Sequence, residues 1–141
     1  MAKLTTNHLF NGSIEQVFKA LSSYEKYPEY IPGVNEIKVL PSSKEGVTCE
    51  VRYEIKVIKT IFYTLEMHVE EPHKIWWSLV DSNILKKNDG SWTLKKNKKG
   101  VDAEYSLDVA FKGFVPKAIT DKVTQANLPG MFKGFQDLID S

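Results

Sequence analysis

The stretch from Phe114 to Ser141, FVPKAITDKVTQANLPGMFKGFQDLIDS, constrains the fold more than any other part of the chain. Ile119, Val123, Ala126, Gly130, Met131, Gly134, Phe135 and Leu138 recur at steps of three and four, which places them on one helical face. Lys117, Asp121, Lys122, Gln125, Lys133 and Asp137 fill the other. Pro116 suits a first-turn position, where the N–H it lacks would have no partner. Pro129 removes a donor and crowds the carbonyl of Gln125, so a kink is predicted near Asn127–Pro129. Gly130 and Gly134 leave room beneath the apolar face.

What precedes this helix is mostly strand. Residues 3–10 (KLTTNHLF) read as an edge strand, closed by the turn Asn11-Gly12. Ser13 stands three residues before Gln16, the spacing of a capping box, and Ile14, Val17, Phe18 and Leu21 follow at helical steps. YEKYPEYIPG (24–33) is too interrupted for more than a short helical turn and a loop, and 34–40 resumes as strand. Strict alternation then puts Val47, Cys49, Val51, Tyr53, Ile55 and Val57 on one face of a strand. Residues 61–70, 74–81 and 101–112 alternate likewise, and SWTLKK (91–96) adds one more strand after a looser piece, Ser82–Asp89. A sheet with one apolar face must be covered, and only the final helix is long enough. The expectation is an α+β helix-grip domain spanning 1–141, with about seven antiparallel strands curved around one long C-terminal helix.

Composition narrows the function. At 141 residues the chain is one domain. Lys+Arg at 19 against Asp+Glu at 18 leaves no global field for nucleic acid, and Arg52 is the only arginine to grip phosphate or read guanine, so no DNA partner is expected. One cysteine, Cys49, forms no internal disulfide, and no apolar run approaches the roughly 18 residues of a membrane helix, so the expected location is cytoplasmic.

Three stretches in register carry a resemblance: Tyr27-Pro28-Glu29-Tyr30-Ile31-Pro32-Gly33, then Leu79-Val80-Asp81 through Leu85 to Gly90-Ser91-Trp92, then Tyr105 to Phe111 (YSLDVAF). Over its whole length the chain resembles the START-like helix-grip (SRPBCC) superfamily, in its polyketide cyclase/coenzyme Q-binding branch. It departs from the usual pattern at Val34, Ser82 and Ile84. The resemblance implies a cavity between sheet and helix for an isoprenoid quinone, a lipid or an aromatic polyketide. Its relatives also imply two other activities, a polyketide aromatase/cyclase and a ribosome-associated, toxin-like regulator.

On that reading the inward faces supply Tyr53, Tyr63, Met67, Trp77, Trp92 and Tyr105, and the helix supplies Met131 and Phe135. Rings with polar tips suit a pocket that is mostly apolar yet orients one or two ligand oxygens. Tyr30, in a loop otherwise rich in Tyr24, Tyr27 and Ile31, fits either a gate or packing onto the helix. No catalytic residue, metal ligand or cofactor site is expected. Glu66, His68 and Glu70 share a face assigned to solvent, His8 and His73 lie at an edge strand and a turn, and no Arg or His falls in inward phase. Lys95, Lys96, Lys98 and Lys99 form a basic hairpin, open to contact with a ribosome or a membrane surface.

Overall fold

The computed structural model describes residues 2–56, 60–124 and 128–141. Seven strands form one sheet: β1 (Ala2–Phe10), β2 (Val34–Leu40), β3 (Cys49–Lys56), β4 (Thr60–Glu70), β5 (Lys74–Ser82), β6 (Leu85–Asn97) and β7 (Gly100–Phe111). Their order is β1-β7-β6-β5-β4-β3-β2, with every neighbouring pair antiparallel. Strands β2 to β7 are therefore a meander, and β1 closes it by pairing with β7 from Ala2↔Val109 to Phe10↔Val101. The alternation decides which face is covered. Val101, Ala103, Tyr105, Leu107 and Val109 of β7 are buried, as are Val51, Tyr53 and Ile55 of β3. Val57, assigned to the same face, lies outside the described residues.

One strand is longer than its pattern suggests. The expected looser piece before Gly90 is largely the first half of β6, which runs for 13 residues. Asn88 and Gly90 share the phase of the buried Trp92 and Leu94, so an amide and a glycine stand where the pattern calls for apolar side chains. A register shift between Leu85 and Lys87 disturbs it further. Ser82 shapes the corner before β6: its Oγ donates to the Phe62 carbonyl at 2.7 Å and accepts from the Ile84 and Leu85 amides at 3.2 and 3.0 Å.

Between β1 and β2 the chain crosses to the opposite edge through two helices. Helix α1 (Ile14–Leu21) starts on the expected capping box: Ser13 Oγ accepts from the Gln16 amide at 3.1 Å, and Gln16 Oε1 accepts from the Ser13 amide at 2.9 Å. A single 3-10 turn, Tyr24–Lys26, leads into α2 (Tyr27–Tyr30), and Tyr27 Oη donates to the Leu21 carbonyl to hold the two together.

The covering helix is described as α3 (Lys117–Thr124) and α4 (Leu128–Asp140). The kink expected at Asn127–Pro129 involves residue 127, and Gln125 and Ala126 stand beside it; these three lie outside the described residues. Pro129 itself occupies the first turn of α4, where its missing N–H leaves no gap in the helical ladder. Phe132, Gly134, Phe135 and Leu138 are buried. Asn11 and Gln136 tie the helix to the end of β1: the Asn11 amide donates to Gln136 Oε1 at 2.9 Å, and Gln136 Nε2 donates to the Asn11 carbonyl at 3.0 Å. Gly134 lies against the Tyr30 carbonyl and the Ile31 side chain, where a Cβ would overlap the Tyr30 oxygen. Tyr24, Tyr27 and Ile31 are buried, so this segment packs against the helix. No described helix is long and apolar enough to cross a membrane.

Candidate functional site

Cross-strand pairing sets the geometry of the concave face. Tyr53 and Tyr63 are Cα partners on β3 and β4, and their rings stack at 4.8 Å with 15° between planes. Trp92 and Tyr105 are Cα partners on β6 and β7, with rings 4.7 Å apart. Phe135 of α4 bridges the two groups. It meets Trp92 edge-on at 5.6 Å and Tyr27 at 5.2 Å, and Tyr27 in turn lies 6.4 Å from Tyr53. Met67 is buried as the Cα partner of Trp77, and Met131 packs half-buried on the core. Tyr30, also half-buried, meets α4 through its backbone. The nine residues singled out from the sequence thus all belong to the core or pack against it.

Trp77 has a seat that periodicity did not reveal. Its indole lies over Gly90, close enough that any Cβ there would overlap the ring. Its Nε1–H donates to Asn88 Oδ1 at 3.1 Å. The two breaks in the β6 pattern are therefore one device, since Gly90 makes room for the ring and the buried Asn88 orients it. The Tyr105 ring lies 6.2 Å from the indole, tilted by 36°.

Five phenols share this region, and burial is the main cause that pushes each of them up from the ordinary value. For Tyr53 burial comes first, and the neighbouring Tyr27, Tyr63, Tyr24 and Tyr105 each push the same way. Tyr24, Tyr27, Tyr63 and Tyr105 are raised as well. All five are hydrogen-bond donors at neutral pH. Tyr27 spends its proton on Leu21. Among the described residues the buried Tyr24 hydroxyl has no partner, and the hydroxyls of Tyr53, Tyr63 and Tyr105, which are not fully buried, make no protein hydrogen bond. The thiol of Cys49, half-buried nearby, is also pushed up by burial.

These shifts fix a sign. A phenol whose folded-state pKa lies above its unfolded value of 10.0 keeps its full contribution to stability below pH 10 and loses it as pH climbs toward the folded value. Alkaline titration is expected to unfold the chain above pH 10, with phenolate absorbance and loss of circular dichroism rising together. Phenolate appearing at Tyr53 before any loss of structure would contradict this.

One expectation is overturned. His8 stands in inward phase on β1, its ring stacked on Phe132 at 4.5 Å with 12° between planes, and against Phe10 at 4.7 Å. Burial lowers its pKa from 6.5, so the imidazole is neutral at pH 7. The outer face behaves as the pattern suggests: Glu66 pairs with Lys44 at 2.8 Å, and His68 stacks on Trp76 while Nδ1 meets the Gly46 carbonyl at 2.7 Å. Arg52 lies over the Phe62 ring. Among the described residues no three His, Cys, Asp or Glu side chains gather as metal ligands would. Lys95, Lys96, Lys98 and Lys99 are exposed at the β6–β7 hairpin. Three of them line an open groove of about 470 Å³ against the start of α1, with Glu15 on its other side.

Residues 11–135 match the sequence family described as polyketide cyclase / dehydrase and lipid transport. The chain belongs to that family. No curated protein matches it in sequence. Among solved structures, a START superfamily protein from Mycobacterium smegmatis superposes with a TM-score of 0.81 at 16% identity, covering 98% of this chain and 97% of that one. An aromatase/cyclase from a Streptomyces species gives 0.83 at 12% identity, covering 99% and 93%. A conserved protein from Geobacillus kaustophilus gives 0.74 at 14% identity, covering 99% and 95%. At these identities the likeness is one of fold, and that fold is the START helix grip.

Proposed function

We propose that this chain binds and carries an uncharged lipophilic molecule with rings and carbonyl-type oxygens, held between the sheet and the C-terminal helices. An isoprenoid quinone or an aromatic polyketide has that chemistry. The observation that carries the reading is the group of phenols Tyr53, Tyr63 and Tyr105, protonated and without protein acceptors among the described residues, set amid stacked rings. A ligand acceptor that reaches such a donor gains a hydrogen bond worth about 0.5–1.5 kcal/mol, and orientation with it. The phenols cannot neutralise a carboxylate or phosphate as a buried cation would, which favours a neutral guest. Apolar burial at about 25 cal/mol per Å² supports micromolar binding once association costs are subtracted. The family's description, which joins cyclisation and lipid transport, is consistent with either guest.

Cyclisation of a poly-β-ketone is the second reading, and His8 is the observation that favours it, since a neutral imidazole on the concave face is able to accept a proton. The tyrosines do not help this reading, because phenols pushed up by burial hold their protons and make poor bases. Native mass spectrometry of the purified protein, with organic extraction of what co-purifies, decides between carrying and emptiness. A stoichiometric quinone, lipid or polyketide is expected. A protein that arrives empty and binds neither quinones nor aromatic ketones overturns the carrier reading.

A further inference from the structure

Phe114 is 93% exposed, the most exposed large apolar side chain among the described residues. Gly113, at φ +63°, turns the chain out of β7, and the exposed Pro116 precedes α3. The ring therefore stands on a tight loop between two ordered elements. Isolated exposed apolar residues are ordinary, but a whole aromatic ring in water beside Val115 and Pro116 is a larger apolar projection.

The charge around it is lopsided. The same end of the sheet gathers the start of β2, the end of β3, the start of β4, the β5–β6 corner and the β7–α3 junction. Among the described residues 32–35, 56, 60, 81–86 and 111–118, the charged ones are Lys56, Lys86, Lys112, Lys117 and a single acid, Asp81. The chain as a whole is nearly balanced, at 19 basic against 18 acidic residues, so this is local segregation. Lys112 is anchored, its Nζ donating to the Ser82 carbonyl at 2.7 Å, while Lys86 and Lys117 are exposed. The other lysine cluster, at the β6–β7 hairpin, lies at the opposite end of the sheet, with Glu15 facing it across the groove.

We infer that the β7–α3 loop is a membrane-docking tip: Phe114 enters the interface of an anionic bilayer while Lys86, Lys112 and Lys117 sit at its headgroups. An aromatic ring prefers the interfacial layer, and lysines around it gain from the negative surface potential. The surface fits a lipid bilayer better than a folded partner because one projecting ring in a cationic field offers no groove or flat apolar patch for protein packing. Docking here presents to the bilayer the end of the sheet where the β7–α3 junction leads into the covering helices.

Flotation with phosphatidylglycerol-containing vesicles tests this directly, without any ligand. The chain is expected to float with anionic vesicles, and the bound fraction to fall as salt rises. Phe114→Ala should weaken partitioning about tenfold. Lys86→Glu with Lys117→Glu should weaken it by at least about twenty-five-fold, at roughly fivefold for each lysine lost. Lys98→Glu with Lys99→Glu should leave it unchanged. Unaltered melting temperatures show that the variants fold, and Phe114→Trp supplies a fluorescence blue shift on vesicle addition. Absence of flotation, an unaffected Phe114→Ala, or dependence on Lys98 and Lys99 overturns the inference. So does a concentration-dependent dimer that Phe114→Ala abolishes, which would make a second copy the occupant.

Discussion

Replacing Gly134 with alanine is expected to lower stability by about 2 kcal/mol, although alanine is the better helix former by roughly 1 kcal/mol. The two effects have opposite sign, and the geometry decides between them. A Cβ at this position would overlap the carbonyl oxygen of Tyr30, a backbone atom in α2 that cannot swing aside as a side-chain tip can. Either α4 lifts or α2 shifts, and both movements loosen Phe135 from Trp92 and Tyr27. Overpacking of this kind costs about 3 kcal/mol at its upper range, which exceeds the gain in helix propensity. The midpoint of thermal unfolding should drop by about 6 °C for a domain of this size. A midpoint that stays put or rises would show that the helices are free to separate at no cost, and that the glycine is no contact point.

The triple variant Tyr53→Phe, Tyr63→Phe, Tyr105→Phe should split binding from stability. The rings remain, so the Tyr53–Tyr63 stack and the Trp92–Tyr105 contact survive. What disappears is three donors that lack protein acceptors among the described residues, so the folded state should be as stable as before or slightly more so. Affinity for a quinone or aromatic ketone should fall at least a hundredfold, at about 1 kcal/mol for each hydrogen bond lost. An aromatic hydrocarbon of similar size should bind the variant and the parent alike, because it never used the hydroxyls. Equal loss for both ligands would mean that the ring-lined face had repacked. No loss for either would place the guest elsewhere.

Much of the architecture was legible because period-two patterns are hard to counterfeit. In β3, and in β7 as far as Val109, the alternation ran without a break, and the capping box at Ser13 marked the start of α1. Reading failed where a polar residue occupies the covered face for a reason that lies on another strand. Asn88 serves the indole of Trp77, eleven residues earlier, and nothing local to β6 discloses that. His8 was set aside for similar cause: in Thr6-Asn7-His8 the inward residues carry polar groups, and only the stacked Phe132 shows which way the imidazole faces. Phe132 fell outside the single apolar stripe drawn for the helix. Helix α4 is enclosed by the sheet on one side and by α1 and α2 on the other, so its buried arc is wider than one stripe. The tyrosines were recognisable as a set of inward rings, but the lack of acceptors for their hydroxyls is a property of packing alone.

The order of the sheet bears on how such a chain is made. Strand β1 leaves the ribosome before the other six, yet among the described residues its one partner in the sheet is β7, about a hundred residues later. Until then the opening segment has no edge to join, and the meander grows from β2 onward with its ring-lined face uncovered. Contacts this distant in sequence slow folding, because the entropy of closing the loop precedes any gain from pairing. The Asn11–Gln136 clamp comes later still, since its second half follows β7. The polypeptide thus exposes its stickiest surface for most of its synthesis and hides it in the last steps. A nascent chain presents this face to every chaperone and every neighbouring chain it meets.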